Sequence, residues 1–235
     1  MKYSRKTFLD RFKQKDLIKF REEERAYVEG SIPKTGRSFK NYAIQLFPDI
    51  QQDKLLHYLQ NKDYLDIACG INHLYPESLL CKLQGSKKRH GLDIHSMDST
   101  HKRVKYFKGS IYNTGFSENS YDCITINNFM YFWESNPQKL LKMYKELYKL
   151  IRIGGTIRIF PVFYGNYYCD NVELFDFLNT HFSIQCLRPK KDYSKESPIY
   201  LENQEIKQTD PANGINEYKD SHELMAHVII LRKLF

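Results

Sequence analysis

The chain has 235 residues, 41% of them hydrophobic and 14% aromatic, which is enough for one sizeable core but not for two full domains. Its formal charge of +8 favours attraction to polyanions, with RNA as one candidate partner, but a charge total does not specify a fold. Charged residues interrupt the start of the chain too early for a signal peptide, and no apolar run approaches the roughly 20 residues that span a bilayer. We therefore expect a cytoplasmic protein without a membrane segment.

The cysteines are odd in number and scattered, and no two of them form a Cys-x-x-Cys pair. They are Cys69, Cys81, Cys123, Cys169 and Cys186. This pattern predicts neither a disulfide framework nor a zinc site, and it is typical of a reducing compartment. We therefore predict no metal ligands in this chain.

The first 40 residues carry most of the net charge. They hold twelve basic and six acidic side chains, and twelve minus six leaves +6 of the total of +8. Apolar residues from Phe8 to Phe20 lie at loosely helical spacings, which predicts a basic amphipathic helix. Such a helix packs on its own domain or on a partner, and its positive charge makes RNA a candidate partner of this arm.

A second helical stretch is predicted from Phe39 to Leu59, with Pro48 as an internal boundary. A loop rich in turn-forming residues at 30–36 separates it from the basic arm. We therefore divide the chain into a helical, basic N-terminal extension at residues 1–60 and a domain at residues 61–235.

A short apolar run with a single acid comes next and ends in a tight turn. Leu65 and Ile67 flank Asp66 in a pattern that predicts a buried strand. Small or turn-forming residues then alternate, as expected of a loop whose backbone passes close to a ligand. They are Ala68, Gly70 and Asn72. A helix is predicted to follow, with Pro76 near its first turn.

A second predicted strand, Arg89–Ile94, carries an acid near its end. This acid, Asp93, lies 93 minus 70, or 23, residues beyond Gly70. In dinucleotide-binding sheets roughly 20 residues separate the ligand turn from the acid that binds the ribose hydroxyls. A nicotinamide-binding sheet also requires Gly-x-Gly-x-x-Gly, and this turn has one glycine at that spacing, so that alternative is disfavoured.

Strands and helices alternate along the rest of the chain. The predicted strands are Val104–Phe107, Tyr121–Asn127, Thr156–Phe160, Ser183–Leu187 and Ala226–Leu231. The predicted helices are Ser135–Leu150, which we expect Gly154 and Gly155 to stop, and Val172–Phe182. Polar residues at 188–223 predict a surface insertion. This alternation predicts an α/β, doubly wound sheet, in which ligands bind at the carboxyl ends of the strands.

Over residues 64–160 the chain resembles the class I S-adenosylmethionine-dependent methyltransferases, a family with a Rossmann-like sheet. The family's first-strand motif reads acid-x-Gly-x-Gly-x-Gly. The sequence matches it at Asp66 and Gly70, whereas Ala68 and Asn72 replace the other glycines. The resemblance implies that S-adenosylmethionine is the cofactor, that Asp66 orients its methionine amino group, and that the turn backbone passes beside its methionine.

The resemblance also covers the later strands. It implies that Asp93 accepts hydrogen bonds from both ribose hydroxyls and that Ile94 packs on the adenine. Ser110 stands where the family often has an acid, so the Ile111 backbone and apolar packing would contribute to adenine recognition. The cofactor site predicted in this way comprises Asp66, Ala68, Gly70, Asn72, Asp93, Ile94, Ser110, Ile111 and Asn127.

The methyl acceptor stays open in the sequence. Alignment of a nucleophile with the electrophilic methyl carbon needs no dedicated nucleophilic side chain, and we assign no general base. Candidates for the acceptor pocket follow the fourth and fifth strands: Asn127, Asn128, Met130, Tyr131, Trp133, Pro161, Phe163 and Tyr164. The basic arm favours RNA or another acidic substrate. A small-molecule acceptor is one alternative, and a non-catalytic binding or scaffold protein with a degenerate methyltransferase fold is another.

Overall fold

A seven-stranded sheet forms the centre of the described part of the chain. The computed structural model describes residues 37–70, 76–85, 87–94, 104–127, 137–163, 172–187 and 226–235. The strands are β1 (Tyr64–Ile67), β2 (Arg89–Asp93), β3 (Lys105–Lys108), β4 (Tyr121–Asn127), β5 (Ile151–Phe163), β6 (Phe182–Leu187) and β7 (Ala226–Lys233). Their order is β3-β2-β1-β4-β5-β7-β6. The pairs from β3 to β5 are parallel, whereas β7 runs antiparallel to both β5 and β6. The strand order therefore switches direction between β1 and β4, where doubly wound sheets bind ligands.

Helices cover both faces of the sheet. They are α1 (Phe39–Gln45), α2 (Leu55–Leu59), α3 (Leu79–Lys82), α4 (Pro137–Leu150) and α5 (Val172–His181). The first three form one hydrophobic core with Tyr64 and Cys123, and the last two form another with Leu65 and Ile124. Successive residues of β1 and β4 thus enter different cores, as the period of two in a strand requires. The predicted α/β, doubly wound fold is confirmed.

A buried ion pair holds the segment after α1 against the sheet. The Arg158 side chain in β5 is 2% exposed and donates to the Leu46 carbonyl at 2.9 Å. It also donates to the two carboxylate oxygens of Asp49 at 2.6 and 2.8 Å. The guanidinium lies over the Phe47 ring, 4.4 Å from its centroid. Because a buried charge is stable only when it is paired, this contact helps to fix α1 on the sheet.

The connection between α4 and β5 differs from the prediction. We expected Gly154 and Gly155 to stop the helix, but α4 ends before them and β5 already begins at Ile151. The β4–β5 register shifts between Ile151 and Thr156, so the two glycines lie in a bulge within the strand. Gly154 has a φ of +75°, and a Cβ on Gly155 would lie 3.0 Å from backbone oxygens. The glycines are therefore needed for the bulge and not for the end of the helix.

Other element boundaries differ by a few residues, among them two helix ends. The helix that we expected to begin near Pro76 begins at Leu79, because the Ser78 hydroxyl caps it by accepting from the Cys81 N–H at 3.2 Å. The helix predicted to include Phe182 ends one residue earlier, since that residue already belongs to β6. Side-chain capping and strand pairing thus determine the exact residues at which these helices begin and end, which the hydrophobic pattern alone does not specify.

Some predictions fall outside the described residues: the helix from Phe8 to Phe20, the turn residue Asn72 and the insertion at 188–223. Among the described helices, none is both long and apolar enough to cross a membrane. The cysteines in the described segments are free. Over those same segments, no three potential metal-binding side chains are grouped to hold an ion.

Candidate cofactor site

The turn after β1 is hydrogen-bonded to the end of β2. The backbone N–H of Gly70 donates to Asp93 Oδ2 at 3.0 Å, and the N–H of Cys69 donates to the Leu92 carbonyl at 3.3 Å. Asp93 is 8% exposed, so the first of these bonds forms in a largely buried place. The predicted ligand turn and the predicted ribose acid therefore meet at the carboxyl ends of two adjacent parallel strands.

This turn is tight and uses left-handed backbone conformations. The φ angle is +54° at Ala68 and +51° at Gly70. Glycine adopts such angles freely, whereas an alanine is strained by about 1–2 kcal/mol. The neighbouring strand also comes close, because a Cβ on Gly91 would lie 2.7 Å from Cys69 Sγ. Strain and close approach of this kind are found where a backbone is shaped around a ligand.

Asp66 lies inside the fold. It is 1% exposed, and the Tyr42 hydroxyl lies 2.7 and 2.8 Å from its two carboxylate oxygens. The Thr125 hydroxyl donates to Asp66 Oδ1 at 2.9 Å and lies 2.5 Å from the Tyr64 hydroxyl. A buried carboxylate is costly unless donors satisfy it, so these hydroxyl groups stabilise Asp66 in its place.

The sheet register separates Asp66 from two other predicted site residues. Asp66 pairs with Gly91 in β2 and with Thr125 in β4. Asp93 and Asn127 come two residues later in those strands, which is about 6.6 Å nearer the carboxyl edge. We call Asp93 and Asn127 the edge pair. A ligand at this edge reaches the edge pair before it reaches Asp66.

Asn127 has a buried atom without a hydrogen-bond partner among the described residues. Its Nδ2 group donates to Gln45 Oε1 at 3.1 Å, whereas its Oδ1 accepts no hydrogen bond from any described residue. The residue is 1% exposed, and a buried acceptor that lacks a donor is unfavourable. A ligand with an N–H or O–H group at this point would satisfy it.

The residues predicted to contact adenine follow β2 and β3. Ile94 is 45% exposed and leaves an apolar surface next to the edge pair. Ser110 is used within its own loop, where its hydroxyl accepts from the Tyr112 N–H at 3.3 Å, and Ile111 is buried. The Gly109 N–H donates to the last carbonyl of β2 at 2.8 Å, which ties this loop to the site. Ile94 thus offers a surface for a planar ring, whereas the Ser110 hydroxyl is engaged locally.

Charges of both signs act on the turn. Burial raises the pKa of the Cys69 thiol, and the carboxylates of Asp66 and Asp93 raise it further, whereas the Arg37 guanidinium lowers it. Burial also raises the pKa of Tyr106 in β3, and the Asp93 carboxylate adds to that effect. A turn reached by carboxylates and a guanidinium suits a ligand that itself carries both charges.

Sequence reasoning missed three residues at this site. Tyr42 and Gln45 of α1 are polar but buried, and their spacing of three places them on one helix face. Buried polar residues on the apolar face of a helix are the signal that could have found them. No local pattern links Tyr106 to Asp93, because their proximity depends on the pairing of β3 with β2. The acceptor-pocket candidates beyond Asn127 lie outside the described residues or side chains.

Comparison with known proteins selects the same region. A family described as a methyltransferase domain matches residues 65–159, from β1 to β5. A search of curated proteins gives no match. The chain is similar to one from the complex between the Haloferax volcanii Trm112 methyltransferase activator and a methyltransferase, with 13% identity and a TM-score of 0.51. That alignment covers 75% of this chain and 84% of the other, and at this identity it shows the fold.

Two further solved structures are similar at low identity. An rRNA methylase from Streptococcus thermophilus has 13% identity and a TM-score of 0.43, over 78% of this chain and 93% of that one. Phosphoethanolamine N-methyltransferase 2 from Haemonchus contortus, solved with S-adenosyl-L-methionine, has 17% identity and a TM-score of 0.48. The alignment covers 99% of this chain and 60% of the Haemonchus protein.

Proposed function

We propose that the chain is a class I S-adenosylmethionine-dependent methyltransferase and transfers a methyl group from this cofactor to an acceptor. The methyltransferase-domain family that matches residues 65–159 supports the proposal. The site of transfer is the carboxyl edge of β1, β2 and β4. The observation that carries the proposal is the hydrogen bond from Gly70 to Asp93, which joins the ligand turn to the ribose acid.

The residues at this edge match the parts of the cofactor. Asp93, already held against the turn, would accept hydrogen bonds from the ribose hydroxyls, and its charge would make them stronger. The backbone at residues 68–72 would pass beside the methionine. Ile94 would pack on the adenine through its exposed side chain, and Ser110 and Ile111 would contribute backbone and apolar contacts to the same ring.

Two side chains, Asn127 at the edge of the sheet and Asp66 deeper inside it, would interact with the methionine part of the cofactor. Asn127 Oδ1 accepts no hydrogen bond from the described part of the chain, and an ammonium group carries the kind of donor that would satisfy it. Asp66 would act from a deeper position, through its hydroxyl partner Tyr42 or through water. Both ends of the proposed cofactor thus have side chains of matching chemistry.

The chemistry divides simply between cofactor and protein. When bound, the cofactor supplies an electrophilic methyl carbon on its sulfonium. The chain would hold the two reactants in line and keep water out of the site. The carboxylates of Asp66 and Asp93 favour a cationic ligand over a neutral one. No described residue is assigned as a general base.

For the acceptor, we favour RNA or another acidic substrate. The excess of six positive charges in the first 40 residues supports this choice, because contacts with phosphates release counterions and raise affinity. A small-molecule acceptor is the second candidate, since α1 covers the strand ends through Tyr42 and Gln45 and would enclose a small ligand. The alternative of a non-catalytic scaffold follows from Ala68, Asn72 and Ser110, which replace residues of the family pattern.

Calorimetry with S-adenosylmethionine tests the cofactor site. Asp93→Asn keeps an acceptor for the Gly70 N–H but removes the charge, whereas Asp93→Ala removes both. We expect affinity to fall about 10-fold in the first variant and about 100-fold in the second. Equal binding by wild-type protein and Asp93→Ala would contradict the assigned site. Folded wild-type protein without saturable binding would favour the scaffold alternative.

The acceptor class is tested by transfer of labelled methyl groups into fractionated RNA, protein and small-molecule extracts. Label in the RNA fraction supports the favoured acceptor, and label in the small-molecule fraction supports the second candidate. Asp93→Ala serves as the control, since it should lose transfer into whichever fraction is labelled. Transfer that persists in this variant would argue against the proposed enzyme.

A further inference from the structure

Helix α1 contacts the candidate site with two buried polar side chains. Tyr42 is 1% exposed and contacts Asp66, and Gln45 is 3% exposed and contacts Asn127. These contacts span 24 and 82 residues of the chain, so they join the segment before the sheet to the ends of β1 and β4. A buried polar group destabilises the fold unless it is hydrogen-bonded. In this group of side chains, Asn127 Oδ1 has no such bond within the described residues.

The contact with Gln45 determines the orientation of the Asn127 side-chain amide. A carboxamide has a donor end and an acceptor end, so a partner that takes one end determines where the other points. Gln45 Oε1 accepts from Asn127 Nδ2 at 3.1 Å. Asn127 Oδ1 is therefore turned away from Gln45, and it accepts no hydrogen bond within the described segments.

The position of Asn127 indicates which part of a ligand it meets. Ile126 pairs with Ile67, the last residue of β1, so Asn127 ends β4 at the level where the chain leaves β1 into the turn that begins at Ala68. Ala68 begins the left-handed turn, which is the part of the proposed site assigned to the methionine. The methionine ammonium is a donor-only group, and Asn127 Oδ1 is an acceptor for which the described residues provide no donor.

We propose that Gln45 is a positioning residue for cofactor binding: it holds the Asn127 amide with Oδ1 turned toward the methionine ammonium of S-adenosylmethionine. This inference rests on the proposed function, and it adds α1 to the site. The matched family region begins at residue 65, so it does not include α1. The helix that covers the strand ends therefore contributes to ligand selection as well as to packing.

Calorimetry with two ligands tests this role. 5′-Methylthioadenosine shares the adenosine and sulfur of S-adenosylmethionine but lacks the chain with the amino group. Gln45→Leu removes the acceptor for Asn127 Nδ2, whereas Gln45→Glu keeps one. The matched control is Tyr121→Phe, which removes another buried hydroxyl, one that lies 2.7 Å from His90 Nδ1.

We expect Gln45→Leu to weaken S-adenosylmethionine binding about 10-fold while binding of 5′-methylthioadenosine stays within about twofold. Gln45→Glu and Tyr121→Phe should bind S-adenosylmethionine within about threefold of wild type. In an Asn127→Asp background both ends of the side chain accept, so Gln45→Leu should no longer weaken binding. Thermal unfolding of each variant shows that the folded protein is being titrated.

The outcomes separate this inference from the proposed function. Equal losses for both ligands in Gln45→Leu, unchanged S-adenosylmethionine binding, or a Gln45→Glu variant as weak as Gln45→Leu would each overturn the positioning role while leaving the proposed function intact. Wild-type protein that does not bind S-adenosylmethionine would overturn both. A selective loss in Gln45→Leu, restored by Gln45→Glu, supports the positioning role.

Discussion

Ala68 adopts a φ of +54°, at which an L side chain is strained by about 1–2 kcal/mol. Ala68→Gly removes that strain and adds about 0.5–1 kcal/mol of conformational entropy cost. We therefore expect the free energy of unfolding in urea to rise by about 0.5 kcal/mol, although most substitutions of alanine by glycine lower it. The matched control is Ala43→Gly in the middle of α1, which should lower it by about 1 kcal/mol. A similar fall in both variants would contradict the strain at Ala68.

His90 is kept neutral by its surroundings. Burial, together with the positive charges of Lys105 and Lys88, lowers the pKa of His90 to about 4, against an opposing effect of Asp63. The ordinary value is 6.5. Between these two values the unfolded chain binds the proton and the folded chain does not. The stability that neutral His90 contributes is therefore complete above pH 6.5 and is lost as the pH falls toward 4.

His90→Phe should reduce this pH dependence. The urea midpoint of the wild-type protein should fall as the pH is lowered from about 7 to about 4.5, and it should fall less in His90→Phe, which keeps an aromatic ring but cannot bind a proton. Because the ring is only half buried, solvent screening reduces the size of the effect. Replacement of the exposed His57 by Gln is the control. If His90→Phe had the same pH profile as the wild-type protein, protonation of His90 would not be the cause of the loss of stability at low pH.

At the scale of secondary-structure elements, the placement of α1 depends on a contact with β5. Asp49→Ala leaves the Arg158 guanidinium buried without this carboxylate, and we expect the free energy of unfolding to fall by about 3 kcal/mol. Glu77→Ala is the control, because it breaks an exposed pair with Lys82 and should cost less than about 0.5 kcal/mol. Urea denaturation measures both. If Asp49→Ala were as mild as the control, the buried pair would not be what anchors α1.

At the scale of the whole molecule, the charge is unevenly distributed. The first 40 residues carry +6, and the other 195 carry +8 minus +6, or +2. A segment of this charge attracts polyanions. If RNA is the acceptor, the arm is where sequence-independent contacts with phosphates are expected.

RNA binding should therefore depend steeply on salt. With about four phosphates contacted by basic side chains, the logarithm of affinity for a labelled single-stranded RNA should fall with a slope of about −3 against the logarithm of salt concentration. Alanine substitutions at Lys13, Lys15 and Lys19 should flatten this slope, while substitutions at Lys139 and Lys142 of α4 serve as the control. Fluorescence anisotropy measures the slope. Absent or salt-insensitive binding would remove RNA as the favoured acceptor.

Local sequence was sufficient to predict the fold, the turn after β1 and the acid at the end of β2. The apolar flanks of Asp66 and the turn with Gly70 predicted the first strand and its end, and the spacing to Asp93 predicted their meeting. These features depend on neighbours along the chain and on the general rule that parallel strands align their carboxyl ends. They could therefore be inferred without knowledge of side-chain packing.

The tertiary structure alone decided which residues from distant segments join the candidate site. Tyr42 and Gln45 reach Asp66 and Asn127 across 24 and 82 residues, and no local pattern encodes partners at such separations. The bulge at Gly154 likewise follows from the pairing of β5 with β4. The sequence by itself determined the α/β alternation and the turn after β1, because hydrophobic periodicity and turn chemistry are local properties. Packing of α1 against the strand ends determined the depth of Asp66 and the orientation of Asn127, because both depend on contacts that form only when distant segments meet.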